Sequence, residues 1–600
     1  MRCESPRYRV TRALTVVSGL MTLGFVSGPP ALAQTPFAPI RAISPQDTGG
    51  AAALGARSPL PGMVPVPPPK VSPGLSRPAA PAMVAPSADG AVYSVRSVTV
   101  EGASVLSAAD IAASTGGLTG QAVSAGRIEA AREALTTLYQ KRGYLYVTVK
   151  SVPRGSDLVF QVVEGYVADV RLEGDVGPAG NQVLLFLNHL IGQRPVTVAL
   201  LERWLLLAQD IPGLTVQSTL NPSEGEPGAL TLIAQVSRKP VSGYFSIDNR
   251  AFHLAGPVQG LFVFNLDSLT GLGERTQVSL FRTYDGTNIF GQISEEFFLG
   301  GSGLKLKIYA GAGNTTPSGA LKLIGYDADT RVGGMQLTYP LLRSREQRLD
   351  LIGAFDLIES DVHDTNSGTS RRSSYDSLRV TRLGFDYALL DTLAGASRGG
   401  VNVFNIRYSK GLQILGSGHH DDTYTPPPRQ GERVDFGKFS GELSRTQTVL
   451  HPTDDSSIAL HAALGWQYSH DILPPAEKFY LGGTRFNRGY YYGQVTGDKG
   501  LSATAELRFT TPLPSPDFVP FKLGAQFYAF YDWGGVWQNA PLEADVTVRS
   551  AGGGVRVYVG ESTEINVEGV HRQSLYPSGR GPGVSALKST AVYWQVLFRY

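Results

Sequence analysis

From Gly243 onward the chain offers sixteen short stretches in which apolar and polar residues alternate. They start near residues 243, 258, 274, 288, 303, 334, 347, 377, 399, 434, 456, 500, 523, 547, 561 and 589. Period two marks a strand with one wet face and one apolar face. Gly, Asp, Asn and Ser punctuate the stretches, and no convincing helix interrupts them. An even strand number with both ends of the chain on one side suits a closed antiparallel membrane barrel of the bacterial type. Closure also pairs every backbone group that hydrocarbon would otherwise leave bare. Composition agrees, because only 17% of residues are charged and the chain carries Gly 70, Tyr 26 and Phe 25. Mean hydropathy is −0.06, and beyond the N-terminus no apolar run reaches the roughly 18 residues that a membrane helix needs. A helical membrane protein and a charged, helical cytosolic enzyme are both excluded.

Loop lengths give the barrel a direction. The long connections, about 313–333, 359–376, 412–433, 471–499, 535–546 and 572–588, all follow odd strands, whereas Gly300-Gly301 and Gly560-Glu561 make brief turns after even ones. Barrels of this type keep short turns on the periplasmic side and long loops outside. The sequence preceding the barrel is therefore expected in the periplasm.

At the N-terminus, Arg2, Arg7, Arg9 and Arg12 lead into an apolar stretch from Ala13 to Val26, and Ala31-Leu32-Ala33 follows. This reads as a secretory signal peptide over residues 1–33. The sole cysteine, Cys3, leaves with it, and the formal charge moves from +2 to −1. Disulfides, thiolate chemistry and Cys-ligated metal are then unavailable, and net charge gives nucleic-acid binding no support. Residues 34–90, with Pro67-Pro68-Pro69 at their centre, read as a Pro/Ala-rich linker.

Order begins with the alternating Val95 to Val100, closed by Glu101-Gly102. Ser107 and Asp110 form a capping-box start for a short helix. A second helix from about Ser124 puts Ile128, Ala131, Leu135, Leu138 and Tyr139 on one face, with Gly143 at its end. Strands from Leu145 to Val152 and Leu158 to Val163 complete a β-α-α-β-β unit. The unit recurs: Val170-Arg171-Leu172-Glu173-Gly174 echoes Val98-Thr99-Val100-Glu101-Gly102, and a helix carries Leu200, Leu201, Trp204, Leu205 and Ala208. Two small modules, 91–165 and 166–239, thus precede a barrel over 240–600, in a β-dominated α+β chain.

The paired modules resemble polypeptide-transport-associated (POTRA) domains, and Leu138-Tyr139-Gln140-Lys141-Arg142-Gly143-Tyr144 matches their Y-x-x-x-G-Y helix end. Ile247-Asp248-Asn249-Arg250, Thr270-Gly271-Leu272-Gly273-Glu274 and two barrel motifs resemble the outer-membrane transporters of two-partner secretion, the FhaC/ShlB/HecB group. The first motif is Leu481-Gly482-Gly483-Thr484-Arg485-Phe486-Asn487-Arg488-Gly489-Tyr490, with Asn487 where that family often has Val. The resemblance implies that this loop folds back into the barrel, its Arg488-Gly489-Tyr490 tip against the wall. The second is Phe530-Tyr531-Asp532-Trp533-Gly534. Period two puts Phe530, Asp532 and Gly534 on one face, which the resemblance makes the lumenal face. A carboxylate on a rigid strand is a natural partner for a guanidinium fork, so an Arg488–Asp532 salt bridge is expected to pin the loop as a latch.

The last strand alternates Trp594, Val596, Phe598 and Tyr600 with Tyr593, Gln595, Leu597 and Arg599. It resembles the C-terminal signal read by the barrel-assembly machinery. Trp533 and Trp537 face either the lipid girdle or the lumen. Gly395-Ala396-Ser397-Arg398-Gly399 fits a nucleophile-elbow pattern without the strand-turn-helix context that pattern requires. His419-His420-Asp421-Asp422 reads as a solvated loop tip. No catalytic residue, metal site or cofactor is expected. The partners implied are a secreted exoprotein bound by the POTRA domains, outer-membrane lipid and the barrel-assembly machinery, with no nucleic acid. A barrel-assembly factor of the BamA/TamA type is the alternative, although such factors usually carry three or five modules.

Overall fold

The computed structural model describes residues 92–252, 256–318, 320–323, 325–365, 369–418, 427–514, 521–575 and 587–600. The expected signal peptide, the whole expected linker and the His419 to Asp422 tip lie outside these residues.

The first module comprises β1 (Val92–Val95), β2 (Ser97–Glu101), α1 (Ala108–Thr115), β3 (Gln121–Ser124), α2 (Ala125–Lys141), β4 (Val147–Arg154) and β5 (Asp157–Glu164). The alternating run Val95 to Val100 is not one strand. It breaks at Arg96, so that β1 pairs with β3 while β2 runs parallel to β5 in a sheet ordered β2-β5-β4. The expected capping box forms, with Ser107 Oγ accepting from the Asp110 N–H at 3.2 Å and Asp110 Oδ2 from the Ser107 N–H at 3.0 Å. The helix face of Ile128, Ala131, Leu135 and Tyr139 is buried on the sheet.

Polar atoms in this core are matched. Glu164 accepts from the Tyr139 hydroxyl at 2.8 Å, the Ser104 N–H at 2.8 Å and the Ser104 hydroxyl at 2.5 Å. Burial, then the bond to Glu164, pushes the Tyr139 hydroxyl above its usual range, so it stays a donor. Glu164→Ala would strand the buried Tyr139 hydroxyl, at about 1–3 kcal/mol. Limited proteolysis of the full chain should then cut residues 92–164 markedly faster; unchanged protection would refute the role given to Glu164.

The second module comprises β6 (Tyr166–Gly174), α3 (Gly180–Leu187), α4 (Val198–Gln209), β7 (Leu214–Pro222) and β8 (Ala229–Arg238), with sheet order β6-β8-β7. The Gly143 of the helix-end motif joins the modules. It sits at φ +84°, where glycine is at ease, and its carbonyl accepts from the Val198 N–H at 2.9 Å.

The barrel opens with β9 (Val241–Asp248), β10 (Gln259–Asp267), β11 (Arg275–Thr283), β12 (Asn288–Phe298), β13 (Lys305–Thr315) and β14 (Asp327–Arg343). It continues through β15 (Gln347–Asp364), β16 (Arg371–Asp391), β17 (Gly400–Gly411), β18 (Gly437–Leu450) and β19 (Ser457–Ser469). A small inserted hairpin, β20 (Phe479–Leu481) and β21 (Val495–Gly497), precedes β22 (Lys499–Leu513), β23 (Leu523–Trp537), β24 (Val546–Val559), β25 (Thr563–Leu575) and β26 (Thr590–Arg599). Sixteen antiparallel strands close on themselves through β26 and β9. The outer surface exposes apolar side chains such as Phe262, Ile293, Met335, Leu383, Leu507 and Phe527, a belt too large for a soluble monomer and suited to lipid. Alternation on β23 puts Phe527, Tyr531, Trp533 and Trp537 on this outer face and Tyr528, Phe530 and Asp532 inside.

The second module docks on the turns that follow even strands. Gln182 Nε2 donates to the Gly300 carbonyl at 3.0 Å, and Arg203 donates to the Pro340 and Leu341 carbonyls, each at 3.0 Å. The Thr270 to Glu274 motif makes another such turn, where Gly273 at φ +61° lies against Ile211 and Gln182. Asp210, the C-cap of α4, would face an unfavourable helix dipole alone, but Arg343 grips it with two bonds of 2.8 Å. Burial pushes the Asp210 carboxyl up, yet the hydrogen bonds and charge of Arg343, with the charges of Arg348 and Lys305, outweigh it and hold the carboxyl below its usual range. A depressed carboxyl stabilises docking above its free pKa of about 4 and loses that contribution as pH falls through its docked value. Docking should therefore be intact at neutral pH and loosen in acid. Asp210→Asn should show the acid-loosened behaviour already at pH 7, read as protease access to residues 205–215; equal protection at both pH values would refute it.

Candidate functional site

The connection between β19 and β22, residues 470–498, runs into the barrel lumen, where the β20–β21 hairpin carries a tip at Arg485 to Tyr490. Tight backbone geometry shapes that tip. Gly482 and Gly483 both lie at φ +101°, and a Cβ on Gly482 would meet the Tyr491 carbonyl oxygen at 2.0 Å. Asn487 takes φ +52°, a conformation that Asn tolerates better than a β-branched residue would.

Arg488 is 5% exposed and lies on the wall made by β22 and β23. Its N–H donates to Asp532 Oδ2 at 2.8 Å, Nε to the same oxygen at 3.2 Å, and Nη2 to Oδ1 at 3.1 Å. The expected Arg488–Asp532 pair is thus present. Its guanidinium also lies over the Phe530 ring, 3.6 Å from the centroid, a desolvated cation–π contact. Gly534 completes the lumenal face, since a Cβ there would approach Asn487 Oδ1 to 2.3 Å. Gly489 presses on β24, where a Cβ would lie 2.6 Å from that of Ser550. Its carbonyl accepts from Arg572 Nη1 at 2.8 Å and the Tyr593 hydroxyl at 3.1 Å. Tyr490 is buried and donates to the carbonyls of Arg549 and Gln573.

Sequence reasoning missed several members of the site. Glu506 takes Arg488 Nη1 and is itself bound by Arg508 at 2.7 Å and Arg556 at 2.9 Å. Thr504 accepts from Arg488 Nη2 at 3.0 Å. The inward row Ser502, Thr504, Glu506, at strand period, was the available signal. Arg250, quoted in a motif without a role, donates to the Arg488 carbonyl at 2.6 Å and the Gly483 carbonyl at 3.2 Å, and pairs with Glu568 at 2.6 Å. Its neighbour Asn249 stands at the β9–β26 seam, where the side chain donates to the Val592 carbonyl at 3.0 Å and accepts from the Trp594 N–H at 2.9 Å.

Such a cluster holds position. Buried pairs add little net stability, but removing one partner costs about 3–5 kcal/mol because a charge is left stranded.

Elsewhere, Trp594, Val596 and Phe598 face outward on β26, while Tyr593 and Leu597 are buried inside. Tyr600 follows the strand, exchanging backbone bonds with Gly243, which has no side chain in the way of its ring. Ser397 lies in the turn between β16 and β17, and His451 reaches its carbonyl oxygen at 2.9 Å, not its hydroxyl.

The family model described as haemolysin secretion/activation protein ShlB/FhaC/HecB matches residues 230–557. That of the POTRA domain, ShlB-type, matches residues 93–165. The chain is 20% identical over 466 residues to the heme/hemopexin transporter protein HuxB of Haemophilus influenzae (strain 86-028NP), covering 75% of this chain and 78% of that one. It is 23% identical over 436 residues to the outer membrane transporter CdiB of Escherichia coli, covering 70% of each. Among solved structures, CdiB from Escherichia coli matches with a TM-score of 0.66 at 20% identity, over 87% of this chain and 93% of that one. CdiB from Acinetobacter baumannii matches with a TM-score of 0.58 at 15% identity, over 88% and 95%. At these identities the solved structures speak to the fold alone.

Proposed function

The chain belongs to the ShlB/FhaC/HecB family of haemolysin secretion/activation proteins, and from that premise we propose that it exports its partner past a lumenal loop that works as a latch. As a member of that family it is an outer-membrane transporter of Gram-negative two-partner secretion, with POTRA modules in the periplasm and a secreted exoprotein as partner. The barrel-assembly reading is set aside, because the matching family model is that of secretion proteins.

The observation that carries the latch is the in-folded loop, with Arg488 buried on Asp532 and Glu506. In this reading, signal peptide (1–33) and linker (34–90) deliver the two modules (91–165, 166–239) beneath the barrel (240–600). The modules capture the unfolded exoprotein by strand addition, for which β2, β4 and β7 each stand at the edge of their sheet, whereas the edge of β6 is partly taken by a bridge from Val167 to Ile191. The exoprotein threads through the barrel as the loop shifts, and folding outside biases the movement outward, with activation of a haemolysin-type partner as a further outcome. Phe530 and Gly534 shape the seat of the tip. Trp594, Val596, Phe598 and Tyr600 serve as the signal for the barrel-assembly machinery, the apolar belt contacts outer-membrane lipid, and transport proceeds without catalysis or cofactor. Replacing Arg488 by Ala tests the latch, since secretion should fall while the barrel still inserts. A neighbouring gene for a long, signal-bearing, β-helical exoprotein would identify the partner.

A further inference from the structure

The in-folded loop is fixed to the wall at a second place. Its first leg makes a short helical turn at Pro475–Glu477. Glu477 is 2% exposed, and its carboxylate bonds Arg382 on β16 at 2.6 and 3.1 Å and Lys438 on β18 at 2.7 Å. Its carbonyl accepts from the Lys438 amine at 2.6 Å and the Gln467 amide at 3.0 Å. Arg382 is oriented in turn by Asp356 on β15, itself bonded by the Tyr309 hydroxyl on β13. Beside this ionic knot, Leu473 and Ala476 pack with Leu378, Val380, Val434 and Phe436.

None of the groups that hold Glu477 holds Arg488. Arg488, Gly489 and Tyr490 rest on β22 to β26, whereas Glu477 rests on β16, β18 and β19; at the start of the tip Arg485 also pairs with Glu442 on β18 at 2.6 Å, and Phe486 lies against Gly465 on β19. Two attachments on one short segment act as a bivalent ligand: when one lets go, the other keeps it at high effective concentration and it rebinds.

We propose that Glu477 is a second clamp on the in-folded loop, a positioning residue that ties the loop's first leg to β16 and β18 independently of Arg488, so that the pore clears only when both clamps release. The inference rests on the latch reading. Loss of the Arg488 tip alone leaves the loop tethered inside the lumen, obstructing it without a fixed seat. Loss of Glu477 alone leaves the tip docked.

Single-channel recording of the purified full chain in planar bilayers tests this, with Glu477→Gln, Arg488→Ala, the double variant and Asp386→Asn compared. Asp386 is a carboxylate on β16 paired with Arg407 at 2.7 Å and touches neither clamp. Heat-modifiable gel mobility identifies folded barrels; if Glu477→Gln does not fold, Lys438→Met replaces it under the same criteria. Each single variant should lengthen the open time measurably, by less than about tenfold, and the double variant should exceed either single on the order of a hundredfold, the gain expected of bivalence. A double variant no more open than Arg488→Ala overturns the second clamp while leaving the latch standing. Arg488→Ala indistinguishable from the unmodified chain overturns the latch reading itself. If Asp386→Asn lengthens openings as much as Glu477→Gln does, the effect belongs to lumenal charge in general and the proposal fails.

Discussion

Arg488→Ala should reduce export of the exoprotein to near background while the barrel continues to reach the outer membrane with unchanged heat-modifiable mobility. The substitution removes a guanidinium that engages Asp532, Glu506 and Thr504 together, and it strands the Asp532 carboxylate, which is 0% exposed. At about 3–5 kcal/mol for one removed partner, docking of the tip weakens roughly a hundred- to a few-thousand-fold. The barrel itself should survive, because its sixteen strands close by their own ladders. Arg488→Lys should fall between the two, since an ammonium keeps the charge but not the fork that meets both Asp532 oxygens. Exoprotein in the medium, normalised to folded barrel in the membrane, measures the effect. Undiminished secretion from Arg488→Ala would end the latch account.

Deleting Val92 to Glu164 is the second large expected effect: export lost, with the barrel inserted. The first module bonds to the second through pairs such as Gly143 with Val198 and Gly165 with Val196. The second module supplies the anchors on the barrel rim named above, Gln182, Arg203 and Asp210. Removing the first should therefore leave the rim occupied and the strands closed, while taking away two sheet edges offered to an extended chain. Secretion assays and membrane fractionation separate the outcomes. Export that persisted at more than a small fraction of normal would move substrate capture away from this module.

Strand number and order were legible because period two survives even where individual boundaries blur. The misplaced starts are instructive. The expected strands at 334 and 377 begin at Asp327 and Arg371, and the added residues include Asp327, Asp329, Arg331, Arg371 and Arg372. These polar extensions lie on the side of the odd-strand connections, where no apolar face is required to mark a strand. The Arg96 break did leave a trace: by period two Val95 shares a face with the polar Ser97 and Thr99, opposite Val98 and Val100, and β1 indeed turns away to pair with β3. At the site, one ion pair could be anticipated because both motifs belong to a recognisable family pattern. Glu477 and Glu568 could not, since each meets its partner through barrel register, which links residues tens or hundreds of positions apart, and Glu506 left only the inward row of β22 as its signal.

The contacts around the tip also bear on the barrel's own closure. The β9–β26 ladder is short, running from the Gln595–Asp248 pair to the Arg599–Tyr244 pair. Arg250, just beyond β9, and Tyr593 on β26 both reach into the tip, to the carbonyls of Arg488 and Gly489. The docked loop therefore braces, from inside, the first and last strands of the sheet. Because such coupling is reciprocal, whatever free energy the docked tip contributes to holding the seam, an intact seam returns to holding the tip. Pore state and seam strength are thus coupled: on the latch reading, an exoprotein that displaces the loop removes this brace from the seam, which regains it when the tip is seated again.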